Sequence, residues 1–225
     1  GKFNNSGYFT VKNNNKIIAS IDMKFLYDDG CPTMVMPAVW NKPSIQQPNI
    51  PKQVNFKDVL LSLIESLNLC SREYKSRMYD GEVKGLSVVK PFVGKKSDVP
   101  SDATVLRIDY ESNRGAILAE GINPWYSDLD TYAMTASVID EAVRKIIAVG
   151  GDLRRIAILD NFCWPDPVES EKTPDGAYKL AQLVRSCKAL YDYTTLYKTP
   201  AISGKDSCKN DSTRGGKKIS IPPTL

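Results

Sequence analysis

Residues 131–160 decide the fold class, and they read TYAMTASVIDEAVRKIIAVGGDLRRIAILD. Apolar residues recur every three or four positions over residues 131–149, which predicts a helix that packs one face on a sheet. The Gly-Gly pair that follows is typical of a helix C-terminus. The apolar run at residues 155–159 then predicts a strand, and Asp160 stands at its exit.

A second helix is predicted downstream, where Thr173, Pro174 and Asp175 form a cap-and-proline helix start. Its predicted buried face comprises Leu180, Leu183, Val184, Cys187, Leu190 and Tyr191. The apolar residues 200–202 then predict a short strand. This strand is expected to end in a polar turn at residues 203–207, SGKDS, because Gly, Asp and Ser are turn formers.

Three further strands are predicted upstream, at residues 85–90, 104–109 and 115–120, and the turn-rich segments between them favour adjacent pairing. A short amphipathic helix precedes them at residues 55–65, and Ser71 is a candidate cap for the segment after it. The order helix, three strands, helix, strand, helix, strand predicts an α+β fold. We expect a two-layer domain in which helices cover one face of a mixed β-sheet.

Composition divides the chain into four segments. Residues 1–31 predict a β-hairpin tail of a preceding domain, and the prolines that recur in residues 32–54 predict an extended linker. Residues 55–212 hold the predicted α+β domain, and residues 213–225 the first strand of a truncated C-terminal domain. Because the chain begins with Gly1 rather than Met and ends in the apolar stretch 221–225, we expect it to be part of a longer polypeptide.

The charge and cysteine content exclude several classes of function. A net charge of +4, from 30 basic and 26 acidic residues scattered along the chain, is too small to indicate nucleic-acid binding. No stretch has the apolar length of a membrane span or the core of a signal peptide. The cysteines form no Cys-x-x-Cys pair, which indicates reduced intracellular thiols. We therefore expect a cytoplasmic protein.

The sequence contains no histidine. This absence removes the usual general base near neutral pH and the commonest metal ligand, so a serine-histidine or cysteine-histidine nucleophile cannot be built from this chain alone. A bound metal is then expected to be a hard cation such as magnesium, held by carboxylate oxygens.

Four acids occupy positions where such a site is expected: Asp80 before the first strand, Glu141 in the helix, Asp160 at a strand exit and Asp206 in the SGKDS segment. If these ends converge, the carboxylates form an oxygen-rich magnesium site. Each acid also has a simpler interpretation. Asp80 and Asp160 suit turns and caps, and Glu141 lies four residues before Lys145, the spacing of a surface ion pair that contributes about 0.3 to 0.5 kcal/mol.

Four segments in the same order resemble phosphoribosylformylglycinamidine synthase, in the second half of its synthase portion. They are residues 78–85 (MYDGEVKG), 140–144 (DEAVR), 159–165 (LDNFCWP) and 203–207 (SGKDS). The resemblance runs from about residue 55 to the end of the chain. It implies an ATP-binding domain similar to the N-terminal domain of aminoimidazole ribonucleotide synthetase, with a sheet that pairs into a barrel with a related domain.

The resemblance also implies a reaction. In this family, an ATP-dependent carbon-nitrogen ligase of de novo purine biosynthesis converts formylglycinamide ribonucleotide, with glutamine as amide donor, to formylglycinamidine ribonucleotide. The histidines that serve this chemistry lie in the first half, so no catalytic residue is expected in this chain. The second half is expected to bind ATP or ADP with magnesium, and the fragment alone is expected to be inactive.

Site residues follow position by position from the resemblance. Asp80, Glu141 and Asp206 are implied magnesium ligands, and Asp160, Gly204 and Ser207 are implied nucleotide or phosphate contacts. The chain departs from the family where Lys145 replaces an asparagine, and an ammonium cannot ligate magnesium. We therefore expect fewer metal ions than the family pattern suggests.

The implied partners are the first half of the same synthase, a glutaminase domain or subunit and a small accessory subunit. An apolar sheet face left uncovered in the fragment would favour self-association. Two alternatives remain at this stage. One is a non-catalytic scaffold or interaction domain, and the other is a different ATP-dependent synthase of the same superfamily.

Overall fold

The computed structural model describes residues 1–27, 30, 34–51, 55–78 and 81–225. The chain forms two compact units, residues 1–37 and 38–225. The secondary structure is mixed α+β, as predicted, but the strands form several small sheets rather than the expected single mixed sheet.

The first unit is built on the predicted hairpin, which the structure confirms. Strands β1 (Tyr8–Asn13) and β2 (Lys16–Asp22) pair antiparallel, and a short helix α1 (Met23–Tyr27) follows. The connecting residues Asn14 and Asn15 both have positive φ angles, of 46° and 65°. Asparagine tolerates this left-handed backbone better than most residues, which is why an asparagine-rich turn closes the hairpin.

In the second unit, helices α2 (Phe56–Glu65) and α3 (Glu73–Met78) precede the sheets, and the predicted Ser71 cap of α3 is confirmed, whereas Asn55, predicted as part of the first helix, caps α2. The Asn55 side chain accepts a hydrogen bond from the Lys57 amide (3.2 Å). The Ser71 hydroxyl likewise accepts one from the Glu73 amide (3.2 Å). Such side-chain oxygens satisfy amide donors that have no partner in the first helical turn.

The predicted upstream strands form a three-stranded antiparallel sheet in the order β3-β6-β7. Its strands are β3 (Ser87–Val89), β6 (Ala103–Arg107) and β7 (Gly115–Ala119). A small hairpin, β4 (Phe92–Val93) with β5 (Val99–Pro100), is inserted between β3 and β6. Adjacent pairing of the three predicted strands is therefore confirmed.

After β7 come two long helices and four strands, with two short 3-10 helices, Pro124–Asp128 and Leu153–Arg155, before and after the first long helix. The long helices and the strands are α4 (Thr131–Ala148), β8 (Ile158–Cys163), α5 (Gly176–Tyr197), β9 (Ala201–Ser207), β10 (Ser212–Arg214) and β11 (Lys217–Ile219). Strands β8 and β9 form a parallel pair, and β10 and β11 form an antiparallel hairpin. The predicted limits of the four chain segments stay a prediction.

Two strand predictions need correction. The SGKDS segment is not a turn, because residues 203–207 pair with residues 159–163 and belong to β9. Backbone hydrogen bonds to β8 outweigh the turn preference of its Gly, Asp and Ser residues. Asp160 lies inside β8 rather than at its exit, since the strand begins at Ile158 and continues to Cys163.

The core lies where α4 and α5 cover β8. Met134 and Val138 of α4 pack with Phe162 and Trp164, and all four are buried. The Trp164 indole nitrogen donates to the Lys179 carbonyl oxygen (3.0 Å), so this large side chain is buried without an unsatisfied donor.

The buried face of α5 differs from the predicted apolar stripe, because Val184, Cys187 and Tyr191 are exposed. Small and polar residues are buried instead, namely Gly176, Ala177, Lys179, Ala181, Gln182, Ser186 and Ala189. Small side chains allow close approach to α4 and let buried hydroxyls pair across the interface. Thr131 Oγ1 donates to the Gln182 carbonyl oxygen (2.7 Å), and Thr135 pairs with Ser186.

Residues 38–51, at the start of the second unit, have no regular structure, and Trp40 packs on α5. The Trp40 ring stacks on Tyr178 (centroids 5.4 Å apart), and the Arg185 guanidinium lies 4.3 Å from the Trp40 ring centroid. Arg185 is itself held by an ion pair with Asp130 (2.5 Å).

Candidate functional site

The candidate site is built on the parallel pair β8–β9. In this register Asp160 lies opposite Gly204, and Phe162 lies opposite Asp206. Paired residues of neighbouring strands project to the same face of a sheet, and successive residues alternate. Since Phe162 is buried against the helices, Asp160, Gly204 and Asp206 all belong to the helix-facing side.

Gly204 leaves room that any other residue would fill. A Cβ atom built at this position would lie 2.8 and 2.9 Å from the two carboxylate oxygens of Asp160, closer than real Cβ contacts allow. The glycine therefore permits the Asp160 carboxylate to lie directly over the β9 backbone.

Cys187 of α5 is close enough to Asp160 and Asp206 for their charges to affect its thiol pKa. Desolvation raises the pKa of the Cys187 thiol, and the negative charges of Asp206 and Asp160 raise it further. The sequence predicts Cys187 on the buried stripe of α5, and no sequence signal indicates that it neighbours the two acids.

Ser207 belongs to the opposite side of β9. Its hydroxyl donates to the Phe162 carbonyl oxygen (3.1 Å) and accepts from Asn210 Nδ2 (3.0 Å) and Lys205 Nζ (2.9 Å). These contacts tie the ends of the two strands together. The structure thus brings Asp160, Gly204 and Asp206 to one face, and Ser207 to the other.

Glu141 lies on α4 and forms the ion pair that its spacing predicted. Its Oε1 is 2.7 Å from Lys145 Nζ, and the same ammonium donates to the Glu120 carbonyl oxygen (3.1 Å). The cation predicted to replace a metal therefore lies against the Glu141 carboxylate.

Asp80, the third predicted magnesium ligand, lies outside the described residues. Within the described parts of the chain, no three Asp, Glu, Cys or His side chains come together in a group that could hold a metal ion. The same parts contain no helix that combines the length and apolar character needed to cross a bilayer.

A second charged cluster, which the sequence did not predict, lies beyond the ends of β8 and β9. Lys218 Nζ contacts Asp166 (3.2 Å), Asp211 (3.3 Å) and the Thr173 hydroxyl (2.7 Å), and the Asp166 amide donates to Asp211 (2.9 Å). Burial acts to raise the pKa of Asp211, but the Asp166 amide and Lys218 outweigh it, so the pKa lies below its usual value. These residues are more than 40 positions apart at the extremes, and no spacing signal connects them.

Comparison with solved structures defines the class of the fold. The chain superposes on "PurLQS from Thermotoga maritima" with a TM-score of 0.54 and 24% identity, over 97% of this chain and 30% of that one. It superposes on T. maritima PurL complexed with ADP with a TM-score of 0.55 and 23% identity, again over 97% and 30% of the two chains. The chain therefore has the mixed α+β fold of one region of a much larger synthase subunit.

Curated proteins give the more specific relationship. The chain is 36% identical to phosphoribosylformylglycinamidine synthase subunit PurL of Methanocaldococcus jannaschii over 166 residues, which are 74% of this chain and 20% of that protein. It is 29% identical to PurL of Thermoplasma volcanium over 221 residues, 96% of this chain and 27% of that protein. No protein-family model matches the chain.

These relatives confirm the resemblance seen in the sequence. The chain is a homologue of part of phosphoribosylformylglycinamidine synthase subunit PurL. It spans about a quarter of the length of the curated relatives that it matches.

Proposed function

We propose that this chain is the nucleotide-binding and magnesium-binding part of a phosphoribosylformylglycinamidine synthase. The complete enzyme would convert formylglycinamide ribonucleotide, glutamine and ATP to formylglycinamidine ribonucleotide in cytoplasmic purine biosynthesis. Homology to PurL supports this proposal, as do the complexes of T. maritima PurL with AMPPCP and with ADP.

One observation carries the proposal: polar, exposed residues lie on β9 at the face that also carries Asp160 and Asp206. Packing does not account for Gly204 and Asp206, since both are exposed. A glycine beside two carboxylates suits close approach of a nucleotide with its metal ion, because the backbone is open there and magnesium prefers oxygen ligands.

The donor set fits magnesium in part. Asp160 and Asp206 offer carboxylate oxygens on one face, while the Glu141 carboxylate is engaged by Lys145. We therefore assign Asp206 as the principal metal ligand within the described residues, with Asp160 and Gly204 against the nucleotide. Ser207, implied by the resemblance as a phosphate contact, has its hydroxyl on the other face of β9 and bonded to the Phe162 carbonyl oxygen, so we leave it out of this site. Asp80 is proposed as an additional ligand. Bound magnesium would neutralise phosphate charge.

Lys145 is proposed to take the place of one metal ion. Its ammonium already neutralises Glu141 at 2.7 Å, so a cation there would be redundant and would be repelled. Lys145→Asn is expected to increase the number of magnesium ions bound in the presence of nucleotide, as counted by metal analysis after gel filtration. Arg144→Asn, on the same helix, serves as the matched control. An unchanged count in Lys145→Asn would contradict the assignment.

The chain's own residues bind and orient, and we assign it no acid–base step. It has no histidine, and both Cys187 and Cys208 have thiol pKa values raised by desolvation and by Asp206. We therefore expect no synthase turnover from this chain alone. Partners proposed to complete the enzyme are the first half of the synthase, whose sheet would form a barrel with this one, a glutaminase and a small accessory subunit.

Titration calorimetry with ATP or ADP in the presence of magnesium tests the binding proposal. The chain is expected to bind nucleotide, and Asp206→Asn to weaken binding by about tenfold or more, since a hydrogen bond or contact to a charged group contributes about 1.5 to 3 kcal/mol. Asp102→Asn, an exposed acid in the bend between β5 and β6, should bind like the unaltered chain. Absence of nucleotide binding, or equal loss in both variants, would favour a scaffold domain instead.

A further inference from the structure

An open cleft separates strand β7 from strand β8. It has a volume of about 660 Å³ and is lined by both strands and by α4. The α4 residues that line it are Val138, Ile139, Ala142, Val143 and Ile146. The cleft is therefore bordered by two strand edges and floored by apolar side chains, which are the surroundings of an interior strand in a sheet.

One end of this cleft already contains the beginning of a strand. The Cys163 amide donates to the Thr224 carbonyl oxygen (2.9 Å), and the Thr224 amide donates to the Cys163 carbonyl oxygen (3.1 Å). This exchange of two bonds defines a hydrogen-bonded antiparallel pair. Leu225 then packs against the core formed by Met134, Val138, Phe162 and Trp164.

The hydrogen bonds of β8 show which backbone groups face the cleft. The amides of Ile158 and Trp164 donate to the β9 side, to Pro200 (3.0 Å) and Ser207 (2.8 Å). Because bonding direction alternates along a strand, Asn161 and Leu159 direct their N–H and C=O groups into the cleft, as Cys163 does.

The register of a strand in this cleft follows from the Thr224–Cys163 pair. Antiparallel partners advance in opposite directions, so the first residue beyond Leu225 would lie opposite Asn161 and the third opposite Leu159. The second and fourth residues would project to the side of Leu225, over the apolar stripe of α4. A matching strand therefore needs apolar residues at its second and fourth positions.

We propose that the cleft is an acceptor site for one β-strand, which enters at Leu225, runs antiparallel to β8 and joins the β3-β6-β7 sheet to the β8–β9 pair. Its occupant is an extended segment attached to Leu225. Thr224 and Leu225 already occupy the entrance, so a strand from a second copy would have to displace them. A strand in the cleft would pair the free edges of β7 and β8 and cover the apolar stripe of α4. Without it, both edges keep backbone N–H and C=O groups that are unpaired within the described parts of the chain.

Extension of the chain by five residues tests the proposal. Thr-Val-Thr-Val-Thr added after Leu225 places its valines at the second and fourth positions. The control extension, Val-Thr-Val-Thr-Thr, has the same composition but places its two valines at the first and third positions, so they project to the opposite face. Both proteins are compared with the unextended chain by amide hydrogen exchange and thermal unfolding.

The first extension is expected to slow exchange at the Asn161 and Leu159 amides by about tenfold or more and to raise the unfolding temperature. The control extension should do neither. Equal protection by both extensions, or protection by neither, would overturn the proposal. A third result would also overturn it: slow exchange of these two amides in the unextended chain that becomes fast on dilution. Such a result would mean that a second copy fills the cleft. Nucleotide binding does not enter this test, so its outcome is independent of the proposed function.

Discussion

Strands β8 and β9 are hydrogen-bonded neighbours, yet they meet different demands. Phe162 of β8 is buried in the core with the adjoining Trp164, whereas β9 is exposed along all of its length except Ser207. Packing therefore explains Phe162 of β8 but does not explain the Gly-Lys-Asp sequence of β9. Residues that packing leaves unexplained, on a strand whose position is well defined, are the ones most naturally assigned to a ligand.

The largest expected effect is a difference in unfolding free energy between a substitution in β8 and one in β9. Phe162→Ala removes a ring that is 4% exposed and should lower the free energy of unfolding by about 3 to 5 kcal/mol, through lost burial and the cavity left behind. The matched change on β9, Ile202→Ala, removes a side chain that is 72% exposed and should cost less than about 1 kcal/mol. Urea unfolding of both variants measures the difference. Similar losses would break the comparison.

The next effect concerns the charged cluster beyond the strand ends. Lys218→Met leaves the Asp166 and Asp211 carboxylates without their shared ammonium and should lower the free energy of unfolding at pH 7, by less than Phe162→Ala does. Lys217→Met, at the exposed neighbouring position, is the control and should change little.

The same cluster predicts a pH dependence. The pKa values of Asp166 and Asp211 are lowered in the folded chain, so their stabilising contribution is complete above the usual Asp pKa of about 3.9 and is lost as the pH falls through the lowered values. Stability should therefore decline toward acid more steeply in the unaltered chain than in Lys218→Met. Parallel pH profiles of the two proteins would show that the ion pairs are not responsible.

A smaller effect is expected between the helices that cover β8. Thr135 and Ser186 are both buried and hydrogen-bonded to each other, so Thr135→Val should cost about 1 to 2 kcal/mol by leaving the Ser186 hydroxyl without this partner. Adding Ser186→Ala should cost less than the sum of the two single changes, because both partners of the bond are then removed. An additive result from chemical unfolding would contradict a direct interaction.

The smallest effect on stability, with a large effect on binding, is expected at Gly204. In Gly204→Ala the new methyl group displaces the Asp160 carboxylate from its position over β9. Because the residue is exposed and lies in a strand, the free energy of unfolding should change by less than about 1 kcal/mol. Nucleotide affinity should fall, whereas Ser203→Ala on the opposite face should retain it. Calorimetry that finds equal affinity in both would remove Gly204 from the site.

The sequence predicted those elements whose pattern is local. Apolar periodicity located α4, and turn-separated apolar runs located β3, β6 and β7. The buried face of α5 was missed because its contact with α4 is made by Ala, Ser and Gln, which carry little hydropathy signal. The composition of the SGKDS segment predicts a turn, and only the long-range hydrogen bonds to β8 make it a strand.

The site was predictable to a similar degree. The resemblance named Asp160, Gly204 and Asp206, which the structure brings to one face, and the helical spacing of Glu141 and Lys145 predicted their ion pair. The sequence did not show that Ser207 projects to the other face. The Asp166–Asp211–Lys218 cluster was also missed, since it assembles from segments that meet only in the folded chain.

The most direct test of the central claim uses manganese as a paramagnetic substitute for magnesium. With nucleotide present, substoichiometric manganese should broaden the amide resonances of Asp160, Gly204 and Asp206 before those of any other acidic region, and Asp206→Asn should abolish this selectivity. Broadening that begins at Asp166 and Asp211, or that affects exposed acids uniformly, would contradict a metal-nucleotide site on the helix-facing side of β8 and β9.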